Sequence, residues 1–120
     1  EGCTPGYWRQ PQHFDSWEGY LPTDLLSQYF DLPATLERPE SGVDPASLDL
    51  LDAVTLRGGK INAVTRHAVA AILNAASSGV NYDLSEGEIV ALYNQAVATG
   101  SWKDALATLV EFNEQFCGLN

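Results

Sequence analysis

Residues Ile61–Ser78, INAVTRHAVAAILNAASS, are the longest stretch of the chain with helical character and almost no charge. Alanines and aliphatics cover nearly the whole circumference of the helix this stretch would form, the pattern of a helix buried on most of its sides. Asn62, Arg66, His67 and Asn74 interrupt the apolar pattern. No apolar run in the chain approaches the roughly 18 residues of a membrane span. The stretch therefore reads as the centre of a folded core, and the rest of the chain must supply the elements that surround it.

The flanking segments carry one-sided apolar patterns that suit this role. After Pro22, Thr23 can cap and Asp24 suits a first turn, while Leu25, Leu26, Tyr29 and Phe30 share a face, which predicts a short helix over 23–31. Asp31–Val43 contains Pro33, Pro39 and Gly42 and reads as a surface loop. Asp44-Pro45 joins a cap to a first-position proline and opens a helix predicted over 45–57, with Leu48, Leu51 and Val54 as its stripe and Leu50 and Leu56 beside it. Gly58-Gly59 then allows a sharp turn into the central helix, 61–78, for which Gly79 is a natural left-handed cap. Ser85-Glu86-Gly87-Glu88 has capping-box form and starts a helix over 86–99, closed by Gly100. The last helix, 102–116, has Trp102, Ala105, Leu106, Leu109, Phe112 and Phe116 on an apolar face that runs up to Cys117.

Residues 1–20 are different. Their prolines and glycines work against regular structure, yet they hold Tyr7, Trp8, Phe14, Trp17 and Tyr20. An arm with that many rings is expected to lie across the helices with its rings in the core. There is no convincing strand, internal repeat, heptad array or low-complexity tract. The expected fold is all-α: a single domain, 1–120, built as a compact bundle of about five helices around a buried central one, with an irregular aromatic N-terminal arm.

The formal charge is −10, from 16 acidic residues against six Lys and Arg. Such a field repels phosphate backbones and anionic lipid, so nucleic-acid and membrane-surface partners are disfavoured. The acids Asp31, Glu37, Glu40, Asp44, Asp49 and Asp52 lack the spaced ligands of a calcium loop and read as caps and solvated surface. Cys3 and Cys117 bracket the chain. A bridge between them would tie down both ends and imply an oxidising compartment, which the compartment argument favours, whereas two unrelated buried thiols would suit a cytosolic protein. The chain opens at Glu1 without a basic region or an apolar signal segment, which suits a processed secreted protein or an excised domain alike.

His67 and Asn74 fall seven residues apart on nearly one stripe of the central helix, with Ala63, Ala70 and Ala71 leaving room for another segment. This is either a polar site in a cleft, with His67 as acid, base or ligand, or a buried His–Asn pair satisfying backbone groups of the arm or a loop. Arg66, one step round, suits a carboxylate or a C-terminal carbonyl. His13 and Asp15 in the arm would complete a two-histidine, one-carboxylate set with His67. Tyr7, Trp8, Trp17 and Tyr20 offer an aromatic platform for sugar rings if they are exposed, and an anchor for the arm if they are not. Zinc, nucleophile-elbow and phosphate-loop motifs are absent, and no cofactor is expected.

Taken together, Gly2-Cys3-Thr4-Pro5-Gly6-Tyr7-Trp8, the RHAVAAILNA stretch Arg66–Ala75 and the FNEQFCGLN stretch Phe112–Asn120 carry a resemblance. The chain resembles a small secreted domain of uncharacterised function found in bacterial extracellular and surface proteins. Those domains open with a C-T-x-G-Y-W-K-like element, carry an A-A-x-L-N helix and close on a second cysteine; Arg9 here stands in the lysine position. The resemblance implies secretion and a Cys3–Cys117 disulfide, and carries no catalytic residue across.

The leading expectation is thus a non-enzymatic extracellular binding or structural module, acting in adhesion or ligand display toward a protein or glycan at the cell surface. The alternatives are a small secreted metal-dependent or acid–base enzyme using His13, Asp15 and His67, and a glycan-binding domain using Trp8 or Trp17.

Overall fold

The computed structural model describes all residues, Glu1–Asn120. Five α-helices form, α1 Pro5–Trp8, α2 Leu50–Val54, α3 Ile61–Ala76, α4 Glu86–Thr99 and α5 Lys103–Asn113, with 3-10 turns at Pro11–Ser16, Leu26–Gln28 and Pro45–Ser47. There is no strand. α3 is the hub: α5 and α4 pack along it, with α2 and α1 on its remaining sides. Asn62 to Thr65 and His67 to Asn74 are all buried along its length. Its apolar circumference follows directly, because every face of the helix meets another part of the chain.

The sequence signals for α4 are realised at both ends. Ser85 Oγ accepts from the Glu88 N–H while Glu88 returns a carboxylate to the Ser85 N–H, a reciprocal capping box. Gly100 ends the helix at φ 72°, the left-handed conformation that glycine adopts without a Cβ clash.

Elsewhere local propensity yields to longer-range pairing. The helix expected over 23–31 is reduced to the single turn Leu26–Gln28. The reason is an isolated antiparallel bridge between Leu25 and Asp49, in which Leu26 N–H donates to the Leu48 carbonyl and Leu50 N–H to that of Asp24. The Asp24 and Leu48 carbonyls and the Leu50 N–H are thereby lost to the expected helices. The same bridge splits the helix expected over 45–57 into the turn at Pro45–Ser47 and the short α2. Asp44 caps the first piece as its sequence suggests. Asp49 and Asp52, expected on a solvated helix face, instead form a reciprocal cap that opens the second.

The central helix stops at Ala76, ahead of the expected 78, and Gly79 is not left-handed. The Glu18 carboxylate holds the chain beyond the helix, accepting from the Ser78 N–H and hydroxyl and the Ser77 hydroxyl. The last helix ends at Asn113 rather than 116, which leaves Phe116 exposed rather than in the core. Gly58, at φ 96°, makes the turn into α3; a Cβ there would collide with the Arg38 carbonyl oxygen.

The arm is more regular than its composition predicts, carrying α1 and a 3-10 turn. Tyr7, Trp8 and Trp17 enter the core. The Trp17 indole donates to the Trp8 carbonyl at 3.1 Å, and Tyr7 packs edge-on to Trp8. Cys3 and Cys117 are disulfide-bonded across a sequence separation of 114, with their Cα atoms 4.6 Å apart. No helix is long and apolar enough to cross a membrane.

A cross-link closing so long a loop restricts the unfolded chain strongly. Paired Cys3→Ser and Cys117→Ser substitutions should lower stability by roughly 2–5 kcal/mol. Guanidinium denaturation of the oxidised protein and of this variant checks it: the midpoint should fall and the slope rise as the unfolded chain expands. An unchanged midpoint would contradict the account.

Candidate functional site

The polar residues of α3 do not meet one another directly; their partners lie on the arm, on the loops and on the neighbouring helices α4 and α5. Asn74 Oδ1 accepts from the Cys3 backbone N–H at 2.9 Å and the Trp8 indole N–H at 3.1 Å. Its Nδ2 donates to the Cys3 carbonyl and to Asn113 Oδ1. Asn113, from α5, also accepts from the Tyr82 hydroxyl, and its Nδ2 donates to the His67 carbonyl and to His67 Nδ1 at 3.1 Å. Each carboxamide thus makes a full set of four bonds, and no buried side-chain polar atom lacks a partner. The His–Asn pairing of the sequence reading exists through Asn113, which bridges the two.

This network also fixes the histidine tautomer. The Cys3 N–H and the Trp8 indole N–H can only donate, so Asn74 has one possible orientation, and Asn113 inherits its own from Asn74 and from the His67 carbonyl. His67 Nδ1 must then accept, which places the proton of the neutral ring on Nε2. Burial, and secondarily the Arg66 charge, push the His67 pKa down to about 4. The ring is neutral across the physiological range.

His67 lines an open groove of about 450 Å³ with Thr4, Arg9, Arg57, Arg66 and Glu114. Three of the six Lys and Arg residues in an acidic chain therefore converge on one face. Arg57 is paired with Glu40 at 3.1 Å, the one ion pair of the molecule. Arg9 and Arg66 have no carboxylate partner. Arg66 Nη1 donates to the Leu56 and Gly58 carbonyls, which holds the guanidinium in place just beyond α2. Its pKa is lowered by burial and by the neighbouring Arg9 charge.

The remaining sequence candidates lie elsewhere. His13 stacks on Tyr7, ring centroids 3.9 Å apart, and Asp15 is exposed. No three His, Cys, Asp or Glu side chains converge, so His13, Asp15 and His67 do not form the set that the alternative, metal-dependent reading required. Trp8 is 0% and Trp17 9% exposed, and both indole N–H groups are bonded within the protein. Neither offers a free face to a sugar, which corrects the stacking platform proposed from composition. Arg57, Glu114 and Asn113 were missed as site residues, and Arg9 stood out only as a lysine replacement. Arg9, Arg57 and Glu114 come from three distant stretches with no local pattern; the scarcity of cations in so acidic a chain was the available signal.

The low pKa of His67 has a consequence for stability. Between its folded value of about 4 and its ordinary 6.5 the unfolded state binds more protons, so stability is full above 6.5 and falls as pH drops toward 4. The expected loss is on the order of 2–3 kcal/mol. Denaturation midpoints of wild type and His67→Gln across this range check it: the variant should lack this component of the slope, and parallel profiles would contradict the assignment.

Comparisons with protein-family models, with curated proteins and with solved structures return no match to the chain.

Proposed function

We propose that this chain is a non-enzymatic, extracellular binding module, and that its arginine-lined groove is the surface it presents. The observation that carries the reading is the groove itself: Arg9 and Arg66 line it together, neither with a carboxylate partner, in a protein of net charge −10. In such a chain acids are plentiful, and two adjacent cations left without one repel each other at a cost to stability. A partner that supplies negative charge offsets that cost.

The chemistry of His67 supports binding over catalysis. Its Nδ1 is held by Asn113, and a ring pushed down to a pKa of about 4 is a weak base at neutral pH. The disulfide supports an oxidising, extracellular setting, where such bonds persist. Adhesion or display at a cell surface is the corresponding role, and the resemblance to secreted bacterial domains agrees with it.

The test is to screen the oxidised protein and its His67→Gln variant side by side. Peptide and oligosaccharide arrays report binding, while chromogenic esters, phosphoesters and glycosides report turnover. The expected result is retention of at least one arrayed ligand by the wild type with no His67-dependent turnover. Turnover that disappears in the variant, with no ligand retained on either array, would overturn the reading.

A further inference from the structure

We propose that the ligand group taken by this groove is a carboxylate, seated between Arg66 and Arg9 with the His67 Nε2–H as an additional donor; this rests on the binding-module reading above. The donor set is the first argument. Arg66 Nη1 is anchored on two backbone carbonyls, while Nε and Nη2 have no protein acceptor. Because no buried side-chain polar atom lacks a partner, those N–H groups are open to solvent. A guanidinium held at one nitrogen and free along its other edge matches a planar carboxylate through paired N–H bonds.

His67 adds a donor that its own network has oriented. Asn113 occupies Nδ1, and Nε2 has no partner within the protein while the ring lines the groove. A neutral N–H accepts nothing at that position, so it favours an oxygen of the ligand. Arg9 is exposed and stands close enough for its charge to be felt at Arg66.

Charge decides between anions. With Arg57 committed to Glu40, the groove has Arg9 and Arg66 against Glu114, which leaves a single net positive charge. A singly charged carboxylate neutralises it. A dianionic phosphate would leave surplus negative charge beside Glu114 in a molecule already at −10. Glu114 at the rim also favours a carboxylate with a hydroxyl or amide donor close by, as in a sugar acid or a chain-end amino acid.

Nuclear magnetic resonance on the oxidised protein in low salt tests this, following the Arg66 Nε–H and the His67 ring during titration. Sodium salts of D-glucuronate and N-acetylglycine represent the two sources of a carboxylate, with inorganic phosphate and chloride as comparison anions. Saturable shifts at both residues with a Kd in the millimolar range are expected for a single anchored group. Arg9→Gln should weaken binding about tenfold, the worth of one charge-assisted contact. Lys103→Gln, a cation outside the groove, should leave it unchanged, and the tighter of the two carboxylates names the source. Arg66 braces the loop after α2, so Arg9→Gln and the wild-type His67 signal carry the test without risk to folding. The proposal is overturned if phosphate or chloride shifts the same signals equally well, or if no saturable shift appears. An arrayed ligand retained equally by wild type and Arg9→Gln would sink the carboxylate site, and the groove as the surface presented, while leaving the role as a binding module intact.

Discussion

The central helix α3 is surrounded on every side, and part of what touches it is chain that is not itself helical, which brings backbone groups in need of partners into the core. That constraint governs this molecule. Burying a peptide group without a partner costs on the order of 1–3 kcal/mol, so α3 carries side chains that supply partners where irregular segments cross it. Near its start, Asn62 accepts from the Glu37 N–H and donates to the Glu37 and Arg57 carbonyls. Near its end, Asn74 does the same for Cys3 and takes the Trp8 indole as well. Between them, Thr65 meets the Tyr93 hydroxyl. Two asparagines on one helix thus fix the loop before α2, the turn after it and the arm.

The disulfide and the Asn74 network act on the same residue from two directions. Cys3 is covalently joined to Cys117, and its peptide N–H and C=O are both held by Asn74. Asn113, four residues before Cys117, completes the connection to α5. The bridge restricts the unfolded chain, whereas the carboxamides satisfy groups in the folded one. Because Asn113 also reaches His67, the scaffold that seats the arm sets the tautomer of the ring in the groove. Structure and candidate site share one hydrogen-bond network.

Much of this was legible in the sequence, and the reasons for success and failure are physical. The α4 boundaries were marked by Ser85, Glu88 and Gly100, because capping is decided by residues close together in the chain. The central helix was legible from its apolar circumference, and of its polar interruptions Asn62, Arg66 and Asn74 are positions where irregular chain meets it, while His67 meets Asn113 of α5. The segments at 23–31 and 45–57 were misread because Leu25 and Asp49 pair with each other, a contact local periodicity does not encode. Trp8 and Trp17 read as anchors of the arm ahead of a sugar platform, because large rings hold irregular chain to a core, and packing buries both. The groove was least legible, since Arg9, Arg57 and Arg66 are brought together by the arm and the turn into α3 rather than by spacing.

The claim at the centre of this account is that Asn74 is a fully bonded hub sealed under the arm. Hydrogen exchange of its side-chain amide, assigned by magnetic resonance and compared with the exposed Asn81, reads that directly. The account predicts that both Asn74 Nδ2 protons exchange at least about a thousandfold more slowly than those of Asn81, with the rate tracking global unfolding. Exchange at the rate of Asn81 would mean that the arm lifts freely from α3, and would contradict the hub and the fixed His67 tautomer built upon it.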